Sequence, residues 1–244
     1  MKTLRVRNRS FVVLLGLAAG LAPGASLAES AAVPKPLSRE FAALSRGVRE
    51  CSAGDLAMAG APLFQVKGKA GERIQLLALT SGCRAEHCTR KIPVHVRAGD
   101  IVFGAPPQLG LRCVAFGMGN GTMGAGLIAD ERLAAAEPDR ALTEAFLIGT
   151  WRDSDNAIRI AARRPAGSIA VEGKGSYRGT GPTPNEGGFS ANATVGSAEN
   201  LVLRDGGCIV VLERRGPYLL ANDNAGCGGH NVRFVGIYLR RAAR

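Results

Sequence analysis

Aromatic side chains make up only 5% of the 244 residues, with a single tryptophan, while glycine contributes 33. That balance disfavours long packed helices and favours a chain with many turns. Glycine does not recur at every third position, so a collagen-like rod is excluded. No internal repeat or low-complexity tract stands out. The G-x-S-x-G, H-E-x-x-H and P-loop patterns are all missing. Acidic residues are the minority, 20 against 31 Lys and Arg. With 46% hydrophobic content there is still enough apolar surface to offset the cost of ordering most of the chain, so disorder is excluded for the greater part.

What is present begins with an export signature. Lys2, Arg5, Arg7 and Arg9 precede a twelve-residue apolar run over 11–22. Pro23 and Gly24 break the run, and Ser26-Leu27-Ala28 places small residues where a signal peptidase reads. The run is too short to span a hydrocarbon core of about 30 Å, and no later stretch approaches that length. Residues 1–28 are therefore expected to be a signal peptide, and the product periplasmic or secreted without a transmembrane segment. Taking four basic residues from 31 leaves 27 against 20 acids, a net charge of +7. Residues 29–136 carry 13 basic and 9 acidic groups, and residues 137–244 carry 14 and 11. Nucleic-acid binding needs a clustered patch with stacking aromatics, and the sequence shows neither. A mild attraction to anionic envelope polymers is what this charge supports.

All six cysteines, at 51, 83, 88, 113, 208 and 227, lie after the signal. An even count in an oxidising compartment reads as three disulfides, with fifteen pairings open in principle. Spacing favours Cys208 with Cys227 and Cys83 with Cys88, which leaves Cys51 for Cys113. Cys83, His87, Cys88 and His95 are the alternative metal set, but their spacing departs from structural zinc patterns. A Cys227 nucleophile with His230 as base would leave an odd number of thiols for bridging. No metal or cofactor is expected.

Residues 29–55 read as a leader with Pro34 and Pro36, then a short helix over 38–50, with Leu37, Phe41, Leu44 and Val48 on one face. Residues 56–136 break into short strands at 63–67, 73–80, 92–97, 100–103, 111–116 and 126–129, the pattern of a small SH3-like barrel. Residues 134–141 form the boundary, and 137–148 a linker with a helical turn. Residues 149–244 then alternate through about eight strands, the pattern of an antiparallel calycin-like barrel. The expected class is mainly β, two small barrel-like domains stapled by disulfides.

Gly119, Gly121 and Gly124 spell G-x-G-x-x-G after a strand, but no second strand or ribose-binding acid follows. A hairpin turn is the favoured reading. Residues 223–231 form the densest polar motif. Asp223, Asn224, His230 and Asn231 are the candidate binding residues, against a plain αL-rich loop pinned by Cys227. Glu172 with Glu186, or Glu213 with Asp223, are further conceivable carboxylate pairs.

Gly149-Thr150-Trp151 resembles the G-x-W that opens lipocalin and avidin-like barrels. The resemblance implies that Trp151 plugs one barrel end and that Arg240 or Arg241 packs across it. The wider pattern resembles exported proteobacterial proteins of no established activity. It is carried by Gly149, Trp151, Cys208, Asp223, Asn224, Cys227, Gly228, Gly229, Asn231, Val232, Gly236, Tyr238 and Arg240. Cys83, Cys88, Gly99, Asp100 and Val102 fit the SH3-like half of the same group, whereas Val114 and Phe116 stand where the group has a tryptophan.

The function expected from these features is a non-enzymatic binding protein of the cell envelope, contacting peptidoglycan or another exported protein. The alternatives are a periplasmic lysozyme or protease inhibitor, and a secreted hydrolase using Asp223 and His230.

Overall fold

The computed structural model describes residues 31–42, 51, 58–79, 89–118, 121–181 and 183–241. The expected signal peptide, most of the expected 38–50 helix, and the Cys83–Cys88 loop with His87 lie outside the described residues. Ala31–Arg244 is a single compact unit, and the mainly β class expected from the strand pattern is the one observed.

Alternating apolar positions build a first antiparallel sheet of seven strands. They are β1 (Leu63–Val66), β2 (Arg73–Leu79), β3 (Thr89–Arg97), β4 (Ile101–Gly104), β5 (Leu111–Gly117), β6 (Met123–Ala129) and β7 (Leu133–Ala136). The order is β3-β2-β6-β5-β4-β1-β7, so β3 and β7 are edges. Leu76, Val96, Val102, Val114 and Ile128 form the core of this half. β7 takes the first three residues of the expected 134–141 boundary into the first sheet. Leu133 to Ala136 pairs with β1, from Leu63 opposite Ala136 to Val66 opposite Leu133. Three alanines gave no apolar signal, yet small side chains suit a strand packed close to its neighbours.

The strands on either side of the glycine motif form a hairpin, while Gly119 and Asn120 lie outside the described residues. β5 and β6 run antiparallel up to Gly117 opposite Met123, and Met118 N donates to Thr122 O at 2.8 Å. Gly121 supplies the left-handed residue at φ +89°. No helix follows to receive a pyrophosphate; β6 does.

After α1 (Leu37–Glu40) near the start of the chain, the second half opens with α2 (Glu144–Leu147), whose N-terminus is capped by Thr143 Oγ1 accepting from Phe146 N. Eight strands follow: β8 (Gly149–Arg152), β9 (Asn156–Arg163), β10 (Ser168–Tyr177), β11 (Asn185–Thr194), β12 (Asn200–Asp205), β13 (Cys208–Arg215), β14 (Tyr218–Asp223) and β15 (Gly236–Arg240). Their order, β11-β10-β9-β8-β15-β14-β13-β12, brings the first and last of them together and makes a nearly closed antiparallel barrel. The seam lies between β11 and β12, where the Asp205 carboxylate accepts from Ser190 N in place of a ladder bond. The interior is filled by side chains such as Ile158, Ile169, Leu212, Phe234 and Tyr238.

A third core joins the two halves. Leu63, Phe103 and Ala115 of the first sheet pack against Tyr218, Leu220 and Ile237 on the outside of the barrel. The Phe103 and Tyr218 rings stand 4.8 Å apart, and the buried Arg215 donates to the carbonyls of Ala59 and Ala61. α1 (Leu37–Glu40) seals the same region with Leu37 fully buried. Ser38 donates from N and Oγ to the Glu213 carboxylate at 2.6 and 2.7 Å, and Asn222 donates to Lys35 O at 2.8 Å and to the Glu40 carboxylate. Cys208–Cys227 is bridged, as its spacing led us to expect, and so is Cys51–Cys113, the pair that remained.

Candidate functional site

The two ends of the barrel are built differently. At the end where β9 turns into β10, Glu144 accepts from Gly167 N, which sets α2 across the opening. Trp151 is buried beneath it and donates from Nε1 to Leu147 O at 2.8 Å. The Arg240 guanidinium lies 5.1 Å from the indole centroid and donates to the carbonyls of Ala145, Phe146 and Ile148. Arg240 therefore covers the tryptophan and caps the helix C-terminus with one planar group. This end is sealed.

The opposite end is crossed by the β14–β15 loop, which bonds to β11 through Gly188 N donating to Cys227 O and Gly229 N donating to Glu186 O. The loop buries Cys227, Val232 and Phe234 in the core, and clefts lie beside it. There the β8–β9 turn, residues 153–156, is shaped by Asp153. Its Oδ1 accepts from Asp155 N and Asn156 N at 2.8 and 2.6 Å, and its Oδ2 accepts from Asn156 Nδ2 at 3.0 Å. Two adjoining clefts of about 680 and 410 Å³ share Asp153, Ser154, Asp155, Asn156 and Ser176. The larger continues along Lys174 and Glu186, and the smaller is bounded by Tyr177, Asn231 and Arg233. Glycines at 173, 175, 187 and 188 keep the floor low. At Gly187 the backbone nearly touches the neighbouring loop, and an added Cβ would sit 2.9 Å from Cys227 O. Tyr177 is 41% exposed, an aromatic face offered to solvent beside carboxylates, amides and hydroxyls.

The 223–231 motif divides between structure and rim. Asp223 has a fully buried side chain. Its Oδ1 accepts from Ala225 N at 2.7 Å and Arg233 Nε at 2.5 Å, and its Oδ2 accepts from Phe234 N. Asn224 Oδ1 accepts from Ile209 N and Gly226 N, while its Nδ2 donates to Gly207 O. Both side chains are thus committed to holding the loop. His230 and Asn231 are exposed, Asn231 in the left-handed region at φ 64°. His230 meets β11 through its carbonyl, which accepts from Asn185 Nδ2 at 2.8 Å. Only Asn231 of the four reaches the clefts.

Other pairings considered from sequence are not brought together. Glu172 stands opposite Ser190 and Glu186 opposite Ser176 in the β10–β11 ladder. Glu213 is engaged with Ser38, away from the Asp223 contacts. Cys227 is bonded to Cys208, which removes it as a nucleophile. His95 accepts at Nδ1 from Arg73, and no group of three or more His, Cys, Asp or Glu side chains placed to hold a metal exists among the described residues.

Sequence reasoning missed Asp153, Asp155, Asn156, Ser176, Tyr177 and Arg233. The D-S-D-N run carried a usable signal, since Asp and Asn at that spacing make Asx turns. What it lacked was any hint that this turn faces the β10–β11 hairpin and the 231–233 segment.

Burial pushes the Asp153 carboxyl above the ordinary aspartate range, against the opposing pull of the donors from Asn156 and Asp155. The Tyr238 hydroxyl, fully buried beside Asp153 and Asn156 without a well-aligned hydrogen bond, is pushed up by burial and by that carboxylate. The folded protein therefore keeps the Asp153 proton to higher pH than the unfolded chain does. Stability should fall as pH rises from the unfolded value through the folded one, then level off. Asp153→Asn is expected to remove that slope, checked by urea midpoints from about pH 4 to pH 7.

No family model, curated protein or solved structure matches the chain. No described helix is long and apolar enough to cross a membrane.

Proposed function

We propose that this chain is an exported, non-catalytic binding protein of the bacterial cell envelope, and that the clefted end of the barrel is its contact surface. The observation that carries the reading is the polar double cleft around residues 153–156 with the exposed Tyr177 at its edge. Envelope glycans present hydroxyls and amides around flat apolar sugar faces. Planar polar side chains such as Asp155, Asn156, Glu186 and Asn231 suit the first, and an exposed tyrosine ring suits the second. Peptidoglycan is accordingly the favoured ligand, with another exported protein as the other occupant of the same surface. Two disulfides and the N-terminal export signature support a periplasmic or secreted setting.

The competing hydrolase reading asks Asp223 to orient His230. Asp223 instead gives its oxygens to Ala225, Arg233 and Phe234, which counts against an acid–base pair.

The test is a pull-down on purified peptidoglycan with the disulfide-bonded protein. Retention that falls about tenfold or more in the double variant Tyr177→Ala/Asp155→Ala supports the reading, since the loss of an aromatic contact and a polar one is on the scale of 1.4 kcal/mol or above. Wild-type protein passing through unretained sinks the peptidoglycan assignment.

A further inference from the structure

The sequence distributes its charge evenly, but the fold does not. From β1 to β4, Leu63 to Gly104, the described residues carry six basic side chains, Lys67, Lys69, Arg73, Arg90, Lys91 and Arg97, all exposed. Among the described residues of that span the acids are Glu72 and Asp100, and both are engaged. Glu72 accepts from Lys69 N and pairs with Arg132 at 3.1 Å, and Asp100 accepts from Arg97 N. None of the six cations has a carboxylate within 4.0 Å among the described residues.

The register sharpens this. Arg73 stands directly opposite Arg97 in the β2–β3 ladder, and Gln75 opposite His95. Like charges opposite each other on one face destabilise a strand pair. His95 lends partial relief by accepting from Arg73 at Nδ1, 3.0 Å away, without adding negative charge. β3 is an edge strand, and guarding an edge against pairing needs little more than a proline or one inward charge. Pro93 already interrupts β3, so the doubled arginines with Arg90 and Lys91 exceed what edge protection requires.

Arg73, Arg97 and Lys91 share one face of the hairpin, since Arg73 stands opposite Arg97 and Lys91 opposite Leu77. Beside it lies a cleft of about 400 Å³ where Arg97, His95 and Asp100 adjoin Val94, Phe116 and Met118. A row of cations without carboxylate partners, with an apolar cleft at its edge, complements headgroup phosphates with acyl chains beneath. We propose that the outward face of the β2–β3 hairpin docks the protein on an anionic phospholipid surface. This surface is separate from the clefted end of the barrel and does not depend on what binds there.

The experiment is co-sedimentation of the disulfide-bonded protein with phosphatidylglycerol/phosphatidylcholine vesicles and with pure phosphatidylcholine vesicles. Binding is expected to the first only and to weaken with added salt. Each basic residue near such a surface is worth about fivefold in binding. The triple variant Arg73→Gln/Lys91→Gln/Arg97→Gln should therefore bind about a hundredfold more weakly while melting no lower than the parent. A control with the same charge loss elsewhere, Arg163→Gln/Arg178→Gln/Arg204→Gln, should keep most of the binding. The proposal is overturned by absence of binding to anionic vesicles at low salt. It is equally overturned by an equal loss in the control, or by capture of soluble polyphosphate or an oligonucleotide with no vesicle binding.

Discussion

Replacing Trp151 with alanine is expected to lower stability by about 3–5 kcal/mol, the range for large aromatic truncations in a core. For a chain of this size that corresponds to a drop in melting temperature of roughly 10 °C or more. Three things are lost together. The indole leaves a void at the sealed end of the barrel, beside a Phe146 ring 4.9 Å away. Leu147 O loses the Nε1 donor, and Arg240 loses the face it covers. Trp151→Phe keeps part of the volume without the donor, so it should cost less. Because Trp151 is the only tryptophan, both variants must be followed by far-ultraviolet circular dichroism. A melt unchanged in the alanine variant would show that the side chain does not hold this end shut.

The second large effect belongs to Asp223. Its carboxylate is the common acceptor for two backbone N–H groups and the Arg233 guanidinium. Asp223→Ala strands two backbone N–H groups while the half-exposed Arg233 can turn to water, and each buried donor left without an acceptor costs about 1–3 kcal/mol. Asp223→Asn restores one acceptor but turns an amide donor toward remaining donors, so it should destabilise by less. Denaturant unfolding measures both. A residue whose role is only to touch a ligand would leave the midpoint unmoved, and that result would reopen the loop as a functional site.

The strands were legible in two ways. β9 and β10 alternate, with Ile158, Ile160, Ile169 and Val171 inward. β13 and β14 instead read as continuous apolar runs, because one face fills the barrel and the other meets the first sheet. β7 was not, since Leu133 is its one large apolar residue and alanine carries little periodic signal. The disulfide between Cys208 and Cys227 was readable from isolation in sequence alone. Asp223 misled because a polar residue among Gly and Asn reads as surface. Its burial follows from backbone donors at 225 and 234 that only the closed loop presents. The clefted end of the barrel failed for the same reason on a larger scale: residues 153–156, 176–177 and 231–233 are each ordinary turns, and the cleft exists only in their juxtaposition. The basic hairpin face was hidden by counting. Totals for each half of the chain balance, while the cross-strand register sets Arg73 against Arg97.

The strap formed by α1 has a bearing on how the molecule assembles. Ser38 reaches Glu213 across 175 residues, and Lys35 reaches Asn222 across 187. A chain made from its N-terminus exposes residues 35–40 early, but their partners on β13 and β14 emerge near the end. The outer face of the first sheet waits for the same strands, because Tyr218 and Leu220 are what cover Phe103 and Leu63. Contacts of such long sequence separation slow folding by the entropy of closing the loop between them. The nascent chain therefore remains incompletely packed until its last strands arrive, and residues 35–40, made before both sheets, are among the last to find their place.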